Sequence, residues 1–197
     1  LSCEGTNSTK RRAAQTTLCR ILDVLVHLTA PILSFTAEEI WNYLPANDTR
    51  PHSVFLSQIP APDARFVDAT LAEKWERIFS ERGKVLKALE QARTDKVIGH
   101  SLDAKVLLHH SHPKRSPLHE MMTTEAQRLA DILIVSQVEV EADQGADDLE
   151  VLSVSVSKAE GPKCERCWKY DVTVGADNNH PTVCPRCAGV LNTGATG

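Results

Sequence analysis

The sequence predicts a mainly α protein in which an antiparallel helical bundle is followed by a small α+β unit and a four-cysteine module. Three patterns support this fold class. Residues 1–99 repeat apolar side chains at helical spacing, residues 100–160 alternate apolar and polar side chains, and residues 161–191 contain paired cysteines. We therefore predict domain boundaries at these positions, with a disordered tail over residues 192–197.

The first two helices follow from apolar periodicity and from start and stop signals. Residues 11–29 place apolar side chains three or four positions apart, which predicts an amphipathic helix that Pro31 ends. Thr36 is the predicted N-cap of a shorter helix over residues 37–44, because Glu39 follows it at the spacing of a capping box. Each helix presents an apolar stripe that needs a neighbour.

A third and longer helix completes the predicted bundle. Four prolines over residues 45–62 exclude long regular structure in that segment. Asp68 then opens a helix whose apolar stripe runs to about Arg93, with Gly83 inside it. None of the three helices can bury its stripe alone, so we expect them to pack antiparallel.

The segment after Gly99 changes from helical to alternating periodicity. Alternation over residues 102–108 predicts a strand, and Pro117 at a first helical position predicts the helix that follows it. Two further strands are predicted at residues 132–141 and 149–158. A short acidic turn separates these two strands, which predicts that they form a hairpin.

Composition excludes several classes of protein. The chain has 197 residues, of which 42% are apolar and 24% charged, and its net charge is −4. These values are typical of a globular protein, and they exclude one that coats nucleic acid with uniform positive charge. We expect no membrane span, because no apolar run approaches about 20 residues. We expect a cytoplasmic location, because no signal peptide is visible. The chain starts at Leu1 and has only Met121 and Met122, so we expect a piece of a longer protein.

Four cysteines form the most informative motif. Cys164, Cys167, Cys184 and Cys187 follow the spacing C-x2-C-x16-C-x2-C. Two residues between cysteines suit a tight knuckle, and two knuckles supply four thiolates in a closed tetrahedron, which favours one structural Zn2+ in a zinc ribbon. Two disulfides in a secreted protein and an iron site are the alternatives, but no signal peptide supports secretion.

The zinc module also contains residues suited to nucleic acid. Trp168 directly follows a predicted zinc ligand, and cationic side chains surround it in the sequence. An aromatic ring among cations suits stacking on an unpaired base, whereas packing of the ring over the knuckle is the alternative. The cationic candidates are Lys163, Arg166, Lys169 and Arg186.

The sequence leaves open the roles of two other groups of basic residues. Arg11 and Arg12 stand at the start of the first helix, where the helix dipole disfavours cations, so they either contact phosphate or remain solvated. A histidine group resembles a second metal site, but we interpret it as the exposed end of a strand. Its members are His109, His110, His112 and His119. No P-loop, dinucleotide turn or nucleophile elbow is present, so we expect binding rather than catalysis.

Five segments resemble a known family. Arg11–Leu18 and Leu28–Trp41, together with Val85–Arg93 and Ile98–Leu102, resemble the anticodon-binding helical domain of class I isoleucyl-tRNA synthetases. Lys163–Trp168 is similar to the zinc module at the C-terminus of the bacterial form. The resemblance covers nearly the whole chain, although its low-complexity tail departs from it.

The resemblance implies a function. It implies binding of isoleucine tRNA near the anticodon, in a protein that joins isoleucine to that tRNA using ATP. The catalytic and editing domains would precede this chain, so the segment itself is not expected to catalyse, and we expect a monomer. The four cysteines would hold one zinc ion. The implied tRNA contacts are Arg11, Arg12, Lys163, Arg166, Trp168, Lys169 and Arg186.

Two alternative functions share the cysteine motif. Residues 180–187 resemble the second knuckle of a DNA-repair glycosylase finger, but no catalytic N-terminus of that class precedes them. A zinc ribbon that binds protein is the other alternative. Binding that weakens steeply with salt would count against it, because contacts with phosphate release counterions.

Overall fold

Five α-helices and three strands make up the residues that the computed structural model describes, which are 3–45, 50–111, 126–143 and 152–194. Three short 3-10 turns join them. The helices are α1 (Thr9–Thr29), α2 (Ser34–Tyr43), α3 (Ala69–Thr94), α4 (Ala126–Leu133) and α5 (Pro185–Gly194). The strands are β1 (Ala104–Ser111), β2 (Gln137–Asp143) and β3 (Leu152–Lys158). The helical N-terminal region and the mixed α+β region confirm the predicted fold class.

The first compact unit contains the chain up to Val67 and is built on α1 and α2. Ser8 caps α1, since its hydroxyl accepts a hydrogen bond from the backbone N–H of Arg11. The predicted cap at Thr36 is wrong: α2 begins earlier, with Leu33 as its N-cap, because the turn after α1 leads directly into it. Trp41 is buried in the core of this unit and donates from its indole to the Pro51 carbonyl.

The apolar stripe predicted on α1 is largely exposed in this structure. Val26 is buried on α1, beside Ala30, and both join the core that includes Trp41. The exposed members of the stripe are Leu18, Ile21, Leu22, Leu25 and Leu28. Helical spacing therefore predicted the helix correctly, but not which of its side chains would be covered.

The second compact unit, Asp68–Asn192, contains α3 and the sheet. Asp68 caps α3 as predicted, accepting from the backbone N–H of Leu71 at 2.9 Å. Val85, Leu89 and Ala92 from α3 enter the same core as the sheet. The compact units thus divide at Val67, whereas the sequence places a boundary near Gly99, and the predicted division into domains stays a prediction.

The sheet has the strand order β2-β1-β3, with β1 at its centre. β1 runs parallel to β2 and antiparallel to β3, so Val106 lies beside Val138 on one side and Val156 on the other. The predicted hairpin of the second and third strands is wrong, because both of them pair with β1. Alternation identifies a strand from its half-buried faces, but it does not identify the partner of that strand.

Two predicted features lie wholly or largely outside the described residues. These are the helix start at Pro117 and most of the acidic turn before the third strand. The tail predicted from Asn192 differs in its first three residues, which continue α5 to Gly194. Among the described helices, none is long and apolar enough to cross a membrane.

The cysteine module joins the sheet through a glycine that has no room for a side chain. Gly161 has a φ of 85°, and a Cβ there would lie 2.5 Å from the backbone nitrogen of Val172. Gly83 differs: it lies in α3 with open space around its Cα. The first glycine is required by the fold, and the second is not.

We expect opposite effects from substituting these glycines. Gly161→Ala should destabilise the cysteine module, by about 1–2 kcal/mol for the left-handed backbone alone and more for the clash. Gly83→Ala should stabilise the protein by up to about 1 kcal/mol, because alanine favours a helix. Urea unfolding curves of both variants measure the changes, and a neutral Gly161→Ala would contradict the close approach.

Candidate metal centre and nucleic-acid interface

The four predicted cysteines meet at one point. All four Sγ atoms lie within 4.8 Å of one another, and Cys167 Sγ lies 3.8 Å from Cys184 Sγ. Four sulfurs bound at about 2.3 Å to a tetrahedral zinc ion would be separated by about 3.8 Å. Cys164 and Cys187 are fully buried. The sulfur positions therefore fit one zinc ion with no open coordination position.

Hydrogen bonds from backbone N–H groups favour the thiolate form of Cys164, which is the form that binds a metal cation. Burial raises the pKa of the Cys164 thiol, but backbone N–H groups of Cys167, Cys184 and Arg166 donate to its sulfur and bring that pKa to about 6. Burial raises the pKa of Cys167 to about 12, and the charges of the neighbouring sulfurs add to the rise. Because thiolates so close together repel one another, the full set of four needs a cation among them.

The arginine of the first cysteine pair contacts a sulfur of the second pair. Arg166 Nη1 donates to Cys187 Sγ at 3.6 Å. Burial lowers the pKa of Arg186, but interaction with the cysteine sulfurs, Cys167 first, raises this pKa above its usual range. Both arginines were predicted to contact tRNA; the structure places Arg166 against the metal centre, whereas Arg186 is more exposed.

Trp168 projects from the module instead of packing over it. Its side chain is 62% exposed, and it is not among the buried residues around the cysteines. Its φ is 64°, in the left-handed region, where a bulky residue costs about 1–3 kcal/mol. The backbone N–H of Trp168 donates to the Cys164 carbonyl at 2.8 Å, so the knuckle holds this conformation.

Lys163 lies between two aromatic rings. Its Nζ is 5.9 Å from the ring centroid of Trp168 and 6.0 Å from that of Tyr170. Lys163 and Tyr170 also form an isolated β-bridge. We call these three residues the Trp168 face. A cation between two rings, one of them exposed, is suited to binding an unpaired base and its phosphate.

Lys169 instead attaches the module to the sheet unit. Its Nζ lies 2.7 Å from Asp131 Oδ1 on α4, in an ion pair. The backbone N–H of Tyr170 donates to Ser136 Oγ at 2.8 Å, and Ser136 in turn donates to the Leu102 carbonyl. These contacts fix the base of the Trp168 face on the sheet unit.

Arg11 and Arg12 belong to the first unit, not to the finger. Arg11 donates from its guanidinium to the Glu4 carbonyl at 3.3 Å. Arg12 is exposed, and its side chain has no partner among the described residues. Contact with phosphate thus stays a prediction for both.

The histidine group does not form a second metal site in the described part of the chain. His109 Nδ1 lies 3.7 Å from Glu141 Oε2, which is the spacing of an ion pair across β1 and β2. His112 and His119 lie outside the described residues. The four-cysteine cluster is the metal-binding group found among the described side chains.

Comparison with protein-family models shows the family to which the chain belongs. Residues 1–108 match the model for the anticodon-binding domain of tRNA ligase. The chain belongs to this anticodon-binding family. Residues 161–189 match the model for the zinc finger found in FPG and IleRS, so the four cysteines form the zinc site of that finger. An anticodon-binding domain binds tRNA, and the zinc finger follows it in the same chain.

Individual relatives are isoleucine–tRNA ligases. The chain is 47% identical over 195 residues to that of Syntrophotalea carbinolica, which matches 97% of this chain and 20% of the relative. It is 45% identical over 194 residues to that of Carboxydothermus hydrogenoformans, with 98% and 20% covered. The Geobacter sulfurreducens ligase is 44% identical over 188 residues, with 92% and 20% covered. The chain thus spans about a fifth of the length of the relatives that it matches.

Sequence reasoning missed several contacts of the finger. Tyr170 lies two positions after Trp168, and this alternation is a signal that could have identified it. No short-range signal pointed to Asp131 or Ser136, since each lies more than thirty positions from its finger partner. The sulfur contact of Arg166 was missed because arginine near tryptophan suggested nucleic acid first.

Removing one zinc ligand should unfold the finger alone. Cys184→Ser should release the zinc ion and expose residues 160–190 to protease, because structural zinc supplies folding energy locally. The helices of the first unit should persist in circular dichroism. Cys19→Ser, a cysteine outside the cluster, is the matched control and should keep full zinc content. Retention of zinc and protease resistance in Cys184→Ser would refute the four-thiolate site.

Proposed function

We propose that this chain binds isoleucine tRNA near the anticodon, as a segment of an isoleucine–tRNA ligase. In that protein, other domains would attach isoleucine to the tRNA using ATP and edit the product. The matched anticodon-binding domain supports tRNA as the ligand, and the relatives support isoleucine as its amino acid. A monomer in the cytoplasm, working with the catalytic and editing domains, belongs to the same proposal.

The Trp168 face is the observation that supports this proposal most directly. An exposed indole held in a left-handed backbone conformation is costly, and residues of this kind cluster at functional sites. Lys163 supplies a cation beside the ring, and stacking of a base on an aromatic ring is worth about 1–3 kcal/mol. An unpaired nucleotide of the tRNA would thus contact ring and ammonium together.

The finger would act as a clamp, and the first unit would contribute Arg11 and Arg12 to phosphate binding. Lys169 is engaged with Asp131, so it contributes less to RNA than Lys163 does. We assign the attachment of isoleucine to the tRNA to other parts of the ligase, because no nucleophile motif or nucleotide-binding loop is evident in this sequence.

Titration with two tRNAs tests the proposal. The zinc-loaded protein should bind isoleucine tRNA more tightly than valine tRNA, and both affinities should fall as salt rises. Equal affinity for the two would place the specificity elsewhere in the ligase and contradict recognition by this segment. Tighter binding of a duplex DNA competitor would favour the glycosylase alternative, and salt-insensitive binding would favour a protein-binding ribbon.

Truncating Trp168 should weaken RNA binding while zinc remains. Trp168→Ala should reduce affinity for isoleucine tRNA about 5- to 150-fold, which corresponds to losing about 1–3 kcal/mol of stacking. Trp168→Phe should retain most of the affinity. Val172→Ala removes another exposed apolar side chain of the finger and is the matched control. Unchanged affinity in Trp168→Ala would show that the exposed ring does not contact the tRNA.

A further inference from the structure

The two arginines of the finger occupy equivalent positions. Arg166 lies between Cys164 and Cys167, and Arg186 lies between Cys184 and Cys187. The guanidinium of Arg166 reaches the cysteine pair to which it does not belong, donating to Cys187 Sγ at 3.6 Å. This contact joins the first knuckle to the second. Arg186 is the more exposed of the two arginines.

The charge of the metal centre explains why cations are suited to these positions. A zinc ion with four thiolates carries two excess negative charges. Cys164 and Cys187 are fully buried, so water does little to solvate the charge on their side of the centre. The guanidinium of Arg166 offsets part of the excess, and hydrogen bonds from a charged donor are about twice as strong as neutral ones.

We propose that Arg166 is a positioning residue for the zinc centre: it ties the two knuckles together, offsets part of the thiolate charge and sets how firmly zinc is retained. This role is independent of the proposed RNA function, because it needs only the sulfur contact. It also separates two cations of the finger: Arg166 contacts the metal centre, and Lys163 belongs to the exposed Trp168 face.

Conservative variants separate the two parts of the role. Lysine keeps the charge but lacks the planar fork of N–H donors, whereas glutamine keeps a neutral N–H donor. Retention of zinc should therefore decrease from arginine to lysine to glutamine at position 166. A role limited to filling space would give similar retention in the lysine and glutamine variants, since both side chains have similar unbranched stems.

The experiment measures zinc transfer from the purified protein to a colorimetric chelator, with no RNA present. Arg166→Gln should lower zinc affinity about 10- to 100-fold, the usual effect of losing an outer-shell partner. Lys158→Gln removes an exposed cation of the neighbouring strand and should leave affinity unchanged. Affinity of Arg166→Gln equal to that of the unsubstituted protein would overturn the proposal.

Replacing zinc with cobalt gives a second measurement, the absorption spectrum of the metal centre. A purely structural role of the arginine would leave this spectrum unchanged. Donation from a guanidinium draws electron density from a thiolate, so losing it should shift the sulfur-to-cobalt charge-transfer band to longer wavelength. The visible bands of tetrahedral cobalt show in the same spectrum that all four ligands remain bound. An unshifted charge-transfer band in Arg166→Gln would contradict the sulfur contact. A failure of tRNA binding would affect neither measurement, so the two proposals fail separately.

Discussion

Repulsion among four cysteine sulfurs is the constraint on which the finger depends. The sulfurs lie within 4.8 Å of one another, and at that distance four thiolates are stable only with a cation among them. Three kinds of group compensate their charge: the zinc ion, the backbone N–H groups of the knuckles, and the guanidinium group of Arg166. The conformation of the surrounding loops follows from this arrangement. Trp168 takes a left-handed conformation because its N–H bonds back to the first cysteine of the knuckle.

The metal centre and the sheet together position the Trp168 face. Zinc closes the finger on itself, whereas Ser136 and Asp131 attach it to the sheet unit. Gly161 allows the chain to turn tightly between the two. A binding residue supported by rigid elements is held more precisely than one on a free loop. The strained tryptophan is thus held exposed by the structure around it, and the proposed binding of a nucleotide would require little further ordering.

The sequence predicted some features because their causes are local. Cysteine spacing alone located the metal site, since two residues between ligands define a knuckle. Asp68 and Pro31 marked helix ends correctly for the same reason. Pairing of the strands was predicted wrongly, because the pairing depends on residues far apart in the chain. The central position of β1 follows from a core shared with α3 and α4, which no short window of sequence contains.

The roles of charged residues were the least predictable feature. Five cationic or aromatic side chains near the cysteines looked alike as a group, yet Lys169 pairs with Asp131 and Arg166 contacts sulfur. The type and spacing of residues suggest which ligands they could bind. Only the three-dimensional structure shows which of these side chains are already engaged in contacts within the protein.

Hydrogen exchange resolved by residue, with zinc bound and after its removal by a chelator, tests the central claim most directly. The account predicts that amides of the knuckles, including Trp168 and Val183–Ala188, lose protection when zinc is removed. Amides of the central strand, such as Val106 and Leu108, should keep theirs, because the core shared with α3 and α4 holds them. Unchanged protection of the knuckles, or loss of protection throughout the sheet, would contradict a zinc centre that stabilises the finger locally.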